Sequence, residues 1–185
     1  LVDDININDY SLASLRRNIA VVLQDVFLFA DTIANNISLR DESISLESIE
    51  EAAKQIGVHE FISSLPGGYQ YNVKERGAML SSGQRQLIAF LRAYLSNPSI
   101  LVLDEATSSV DTYSEQLIQK ATEKVTSGRT SIIIAHRLAT VKKADKIIVL
   151  EKGKIVEFGT HNELLKQKGY YSKLYEIQFV TAMAS

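Results

Sequence analysis

Three short apolar runs limit what this chain can fold into: Ile19-Ala20-Val21-Val22-Leu23, Ile100-Leu101-Val102-Leu103 and Thr130 to Ala135. Each is too short for a buried helix and reads as a strand covered on both faces. The segments between the later runs have helical periodicity, and strands alternating with helices imply a parallel sheet. From Asp31 to about Pro98 the pattern is helical. Ser45 opens one helix with Ile49, Ala52, Ala53 and Ile56 on one face, and Gly57 ends it. After Ser81-Ser82-Gly83 a second helix carries Leu87, Ile88, Leu91 and Leu95, and Asn97-Pro98 stops it. Asp111 or Thr112 caps a third, with Leu117, Ile118, Ala121 and Val125, closed by Gly128. Leu1 to Ile7 alternates apolar and polar residues and reads as a strand or its end; Ser11 caps a short turn behind it. Ile147 to Leu150 and Ile155 to Phe158 flank a hairpin turn, and Thr160-x-x-Glu163 is a capping box.

Composition closes off several functions. Apolar content of 45% suits a globular domain with a real core. A net charge of -2 gives no reason to expect nucleic acid as a partner. With no cysteine there is neither a disulfide framework nor a thiolate metal site. The apolar runs are too short to span a bilayer. The chain opens on Leu1 inside an apolar stretch, which points to part of something longer.

The chemistry gathers at strand ends. In open α/β sheets ligands bind outside the carboxyl ends of the strands. Ile100 to Leu103 is followed there by Asp104 and Glu105, and Thr130 to Ala135 by His136. Gln24 ends the first run. Taken alone, each has a plain structural explanation: carboxylates marking a strand end, a satisfied histidine, a polar end-cap. Leu80-Ser81-Ser82-Gly83-Gln84 lies where a helix begins. A helix N-terminus offers unpaired amides and a positive dipole end to an anion, and small residues let that anion approach. Ser81 there is equally well an N-cap. His59 reads as a surface helix residue and His161 as structural. Glu75-Arg76 by itself is a solvated charge pair.

Taken together these stretches resemble the nucleotide-binding domain of an ATP-binding cassette (ABC) transporter over nearly the whole chain. Leu80 to Gln84 is similar to the family signature loop, with Ser82 where the usual form has Gly. Ala106-Thr107-Ser108-Ser109-Val110-Asp111 resembles the D-loop. Gln24 with Phe27-Leu28-Phe29 and Thr32-Ile33-x-Asn35-Asn36-Ile37 resembles the Q-loop region of exporters. No stretch reads G-x-x-x-x-G-K-[ST], so the chain looks like such a domain without its N-terminal portion.

The resemblance implies an α/β fold: a P-loop NTPase-like (RecA-like) core with a mostly parallel sheet plus an α-helical subdomain, lacking the N-terminal strands and the phosphate loop. It divides the chain into core (1–30 and 97–170), helical subdomain (31–96) and a C-terminal helix and tail (171–185). The helices between Ser45 and Asn97 are expected to form a lobe of their own, and the 147–158 hairpin to lie at the edge of the parallel sheet. The missing strands would leave apolar sheet surface exposed. ATP and Mg²⁺ are the implied cofactors. Glu105 would be the general base, His136 would bond the γ-phosphate, and Gln24 would reach both water and Mg²⁺. Asp104 would hold the metal. Ser81, Ser82, Gly83, Gln84 and Asp111 would meet nucleotide across a head-to-tail dimer with a second such domain. Phe27 to Ile37 and Glu75-Arg76-Gly77 would touch the transmembrane domains, placing the chain on the cytoplasmic face of a membrane. Two other readings are a DNA-repair or chromosome-maintenance ATPase head and a non-catalytic interaction fragment. The first would need coiled-coil insertions or a basic face, and neither is visible.

Overall fold

A computed structural model describes residues 1–105, 112–135 and 137–183. The chain divides into two compact units, Leu1–Ile134 and Ala135–Ser185.

The first unit opens with a turn, not a strand. Asp3 and Asp4 both take positive φ (48° and 64°), and Val2 and Ile5 exchange backbone hydrogen bonds across them. An Asp-Asp pair tolerates the left-handed region, and at this length it overrides the apolar–polar alternation around it. Helix α1 (Leu12–Asn18), capped by Ser11, leads into β1 (Ile19–Val22). Helices α2 (Ile33–Ser38), α3 (Leu46–Ile56), α4 (His59–Ser63) and α5 (Ser82–Leu95) follow. Ser45 caps α3, Gly57 closes it in the left-handed region, and Ile49, Ala52, Ala53 and Ile56 are its buried face. Strand β2 (Ile100–Asp104), helix α6 (Thr112–Thr126) and strand β3 (Thr130–Ile134) complete the unit.

The three strands are parallel in the order β1-β2-β3, with Val22 beside Leu103 and Leu103 beside Ile133. Strand side chains alternate between faces. Val22, Leu101 and Leu103 are buried on one face, whereas Val21, Ile132 and Ile134, and Leu23 just past β1, are exposed on the other. This open apolar face matches the expectation of uncovered sheet. One hydrophobic core runs from Val22, Leu101 and Leu103 through Ile49, Phe61, Leu87 and Leu91. The reason is α5, which packs against β1 as well as α2, α3 and α6.

The second unit contains α7 (Leu138–Lys143), β4 (Ile147–Glu151), β5 (Lys154–Gly159), α8 (His161–Gln167) and α9 (Tyr170–Met183). The hairpin expected at the edge of the parallel sheet is instead a separate two-stranded sheet. Its turn residues Lys152 and Gly153 have φ of 49° and 77°, the double positive φ that fits a two-residue hairpin loop. Val156 is an extra residue opposite Val149 and Leu150 and makes a bulge. Thr160 and Glu163 form the expected capping box on α8. Glu157 reaches from β5 to the start of α9, where its two carboxylate oxygens accept from Tyr170 N (2.6 Å) and Tyr171 N (2.9 Å). Ile147, Leu164 and Tyr171 form the small core.

Candidate functional site

The parallel register brings three strand ends to one edge. Asp104 is the last residue of β2 and pairs with Ile134. Glu105 extends the ladder by one bond, donating its N–H to Ile134 O at 3.1 Å. Its side chain is turned inward and only 3% exposed, whereas Asp104, on the open face, is half-buried. Gln24 lies two residues beyond Val22, exposed at the same edge. The structure therefore brings Gln24, Asp104 and Glu105 to neighbouring strand ends. His136 and Asp111 lie outside the described residues.

An all-oxygen set of one carboxylate and one amide suits Mg²⁺, which takes one or two carboxylates and leaves its other positions to water and substrate phosphates. Among the described residues no group of three or more His, Cys, Asp or Glu side chains could hold a metal unaided.

The Leu80-to-Gln84 segment forms the start of α5. Ser81 is its N-cap: Ser81 Oγ accepts from Gln84 N at 3.2 Å, and Gln84 Oε1 accepts from Ser81 N at 3.0 Å. This reciprocal pair is a capping box, and the Ser-x-x-Gln spacing that signals it is plain in the sequence. The plain reading of Ser81 as an N-cap is therefore seen, and it is compatible with anion contact. The hydroxyl spends one lone pair on Gln84 and keeps its hydrogen to donate. Arg85 N is taken by Ser81 O, which leaves the amides of Ser82 and Gly83 without an acceptor inside the helix. Gly83 is buried and Ser82 half-buried. Arg85 folds back to donate to Leu80 O at 2.8 Å, holding the loop on the helix.

The segments Phe27–Ile37 and Glu75–Gly77 meet. Leu28 is fully buried, and the rings of Phe27 and Phe29 stand exposed on either side, edge to face with centroids 5.1 Å apart. Gly77 has φ of +67°, and a Cβ there would lie 2.8 Å from Leu28 Cδ1 and 3.0 Å from Arg85 Cδ. Only glycine permits this backbone so close to Leu28.

Two residues whose bonding sequence reasoning missed fix the aromatic loop. Asn36, completely buried, accepts from Phe29 N (2.8 Å) and donates to Phe29 O and Thr32 O (3.0 Å each). Arg92 of α5 donates to Phe27 O (2.9 Å), Asn36 O and Asn36 Oδ1 (2.9 Å). Burial pulls the Arg92 guanidinium below its ordinary range. Beside them Asp31 accepts from Asn35, Arg40 and Thr32, which holds its carboxyl down at about 2. His59, on α4, is half-buried, and its Nδ1 meets Tyr69 Oη at 2.9 Å. His161 Nδ1 meets Tyr171 Oη at 2.6 Å, in keeping with a structural role.

The family model for ABC transporters matches residues 1–108, more than half of the chain. The chain belongs to the ABC transporter family. Its relatives include the ATP-dependent lipid A-core flippase of Blochmanniella floridana, 54% identical over 97% of this chain. The flippase of the same name from Escherichia coli K12 is 50% identical over 97% of it. In each case the chain spans 31% of the relative's length. A solved bacterial Atm1-family ABC exporter with ATP bound superposes with a TM-score of 0.85 at 41% identity, covering 96% of this chain and 31% of that one. The ABC family assignment agrees with the parallel sheet and its helical region. No helix among the described residues is long and apolar enough to cross a membrane.

Proposed function

We propose that this chain is part of the ATP-hydrolysing domain of an ABC exporter. The observation that carries the reading is the shared strand edge, where Gln24, Asp104 and the inward-turned Glu105 lie on adjacent parallel strands. Glu105 takes a proton from the attacking water, and its position against the β3 end gives it one fixed placement. His136 bonds the γ-phosphate, and Gln24 orients the water. Asp104 holds Mg²⁺, which when bound neutralises phosphate charge.

Ser81, the amides of Ser82 and Gly83, and Gln84 face the nucleotide of a second domain. The free amides at the start of α5 support that placement. ATP thus joins two such domains head to tail. The chain itself has no G-x-x-x-x-G-K-[ST] loop, so the lysine and backbone cradle for the phosphates are not among its own residues. Residues 31–96 form the helical subdomain. The exposed Phe27–Phe29 pair and the adjoining Glu75–Gly77 turn provide a contact surface for the transmembrane domains, which puts the chain at the cytoplasmic face of a membrane. The exported substrate is set by those domains.

The test is Glu105→Gln in the whole transporter. Hydrolysis should fall by about 10²–10⁴-fold, the usual worth of a general base, with ATP binding retained. Near-normal turnover would remove Glu105 from the mechanism.

A further inference from the structure

Met79 stands 59% exposed two residues before Ser81, and its place is fixed from both sides. Leu80 N donates to Gly77 O at 2.9 Å, which closes a turn with Ala78 and Met79 at its corner. Gly77 is buried against Leu28, and Leu80 is buried with its carbonyl held by Arg85. The corner therefore cannot sink into the core, and the Met79 side chain stays in solvent.

Composition makes that exposure chemically selective. The chain has no cysteine and no tryptophan, and its other methionine is Met183, at the end of α9 in the second unit. A peroxide therefore meets few side chains that it oxidises readily. At Met79 a sulfur lone pair attacks one peroxide oxygen, the O–O bond breaks and an S–O bond forms. The departing hydroxide takes the proton of the transferred oxygen and leaves as water. Sulfur gives up two electrons and the peroxide gains them. The product is a sulfoxide, polar and chiral where the thioether was flexible and apolar.

We propose that Met79 is an oxidation site that controls contact with a second domain: its thioether is covered when the two close on ATP, and its sulfoxide opposes closure. This rests on the proposed contact of Ser81 to Gln84 with the second domain's nucleotide. Two residues of chain span at most about 7 Å, so the Cα atoms of Met79 and Ser81 lie within that distance. An ordinary protein interface covers about 800 Å² on each partner, so a domain that meets Ser81 also covers Met79. A thioether is buried without losing a strong hydrogen bond, whereas a sulfoxide oxygen gives up its water. The phosphate oxygens nearby are acceptors like itself. The amides of Ser82 and Gly83 are the donors the phosphate needs, so a sulfoxide that took them would compete with it.

The test treats the whole transporter and its Met79→Leu variant with hydrogen peroxide. ATP hydrolysis is read relative to each untreated sample, and the Met79 peptide is followed by mass spectrometry. Complete oxidation at Met79 should lower hydrolysis about tenfold, the worth of one polar group buried unpaired, with a much smaller fractional loss in Met79→Leu. The two methionine sulfoxide reductases, one for each epimer, should restore the natural protein. Met79→Gln, which places a polar amide there without peroxide, should hydrolyse more slowly than Met79→Leu. ATP held by Glu105→Gln should slow the oxidation of Met79. In the 185-residue chain the sulfoxide should leave the melting temperature unchanged, which separates the effect from damage to the fold. Equal fractional losses in the natural protein and Met79→Leu would overturn the proposal. So would a Met79 that keeps its thioether while free methionine in the same solution is converted. Untreated hydrolysis that survives Glu105→Gln overturns the ATPase reading and this inference with it, whereas Glu105-dependent hydrolysis with equal losses overturns this inference alone.

Discussion

Asn36→Ala offers the sharpest test of how the exposed aromatic loop is held. Not every bond it removes counts equally. Phe29 O still accepts from Asp31 N, and Thr32 O still accepts from the residue-36 amide, so both acceptors keep a partner. Phe29 N and Arg92 Nη2 lose theirs. A part-buried amide left unpaired costs about 1–3 kcal/mol and a lost bond to a charged group about 1.5–3. Arg92 retains its bonds to Phe27 O and to the backbone of residue 36, which argues for the lower half of that range. The expected loss is therefore about 3 kcal/mol, a large share of a typical domain's stability of about 5–15 kcal/mol. Urea unfolding followed by circular dichroism measures it, with the m-value expected to stay constant. Arg92→Met in a double-mutant cycle should show coupling of about 1 kcal/mol or more with Asn36→Ala, because the two share a bond. A loss below about 1 kcal/mol, or strict additivity, would refute the idea of a shared clamp.

Two further predictions concern charge. Asp31 titrates at about 2 against an ordinary 3.8 because Asn35, Arg40 and Thr32 bond its ionised form. Its contribution to stability is complete above pH 4 and is lost as pH falls from there through about 2. The melting-temperature gap between the natural chain and Asp31→Asn should close over that interval, and a gap independent of pH would contradict the assignment. Glu157→Gln removes a carboxylate from the α9 N-terminus and should cost about 1 kcal/mol locally. Amide exchange at Tyr170 and Tyr171 should then quicken by about fivefold, and unchanged exchange would mean the cap carries no weight.

The sequence was most legible where structure is local. The ends of α3 and α8 are written in Ser45, Gly57, Thr160 and Glu163, because a cap bonds amides two or three residues away. The three parallel strands stood out as apolar runs, and with them the ends that position Gln24, Asp104 and Glu105. Two misreadings have physical causes. Leu1 to Ile7 offered only a short alternation, and Asp3-Asp4 turned it. The hairpin was correct as a hairpin, but which sheet a strand joins depends on distant partners. The same holds for Asn36 and Arg92, which lie 56 residues apart with no local pattern linking them. Ser81 and Gln84 were read for their outward chemistry, and their bond to each other was overlooked although its spacing was visible.

The pairing of β1 with β2 also governs the order of events during synthesis. Ser99 Oγ bonds Asn18 Oδ1 across a separation of 81 residues, and Ile19 pairs with Ile100 directly beyond it. At about 5–20 residues per second the ribosome needs several seconds or more to deliver β2 after β1 has emerged. Throughout that interval Ile19 to Leu23 is an apolar segment whose β2 partner does not yet exist. Helices α2 to α5 are made in the meantime, and α5 is the one that packs on β1. A chain cut before residue 100 and released from the ribosome should therefore hold β1 against α5 without a sheet, and chaperone occupancy should be greatest before α5 is complete.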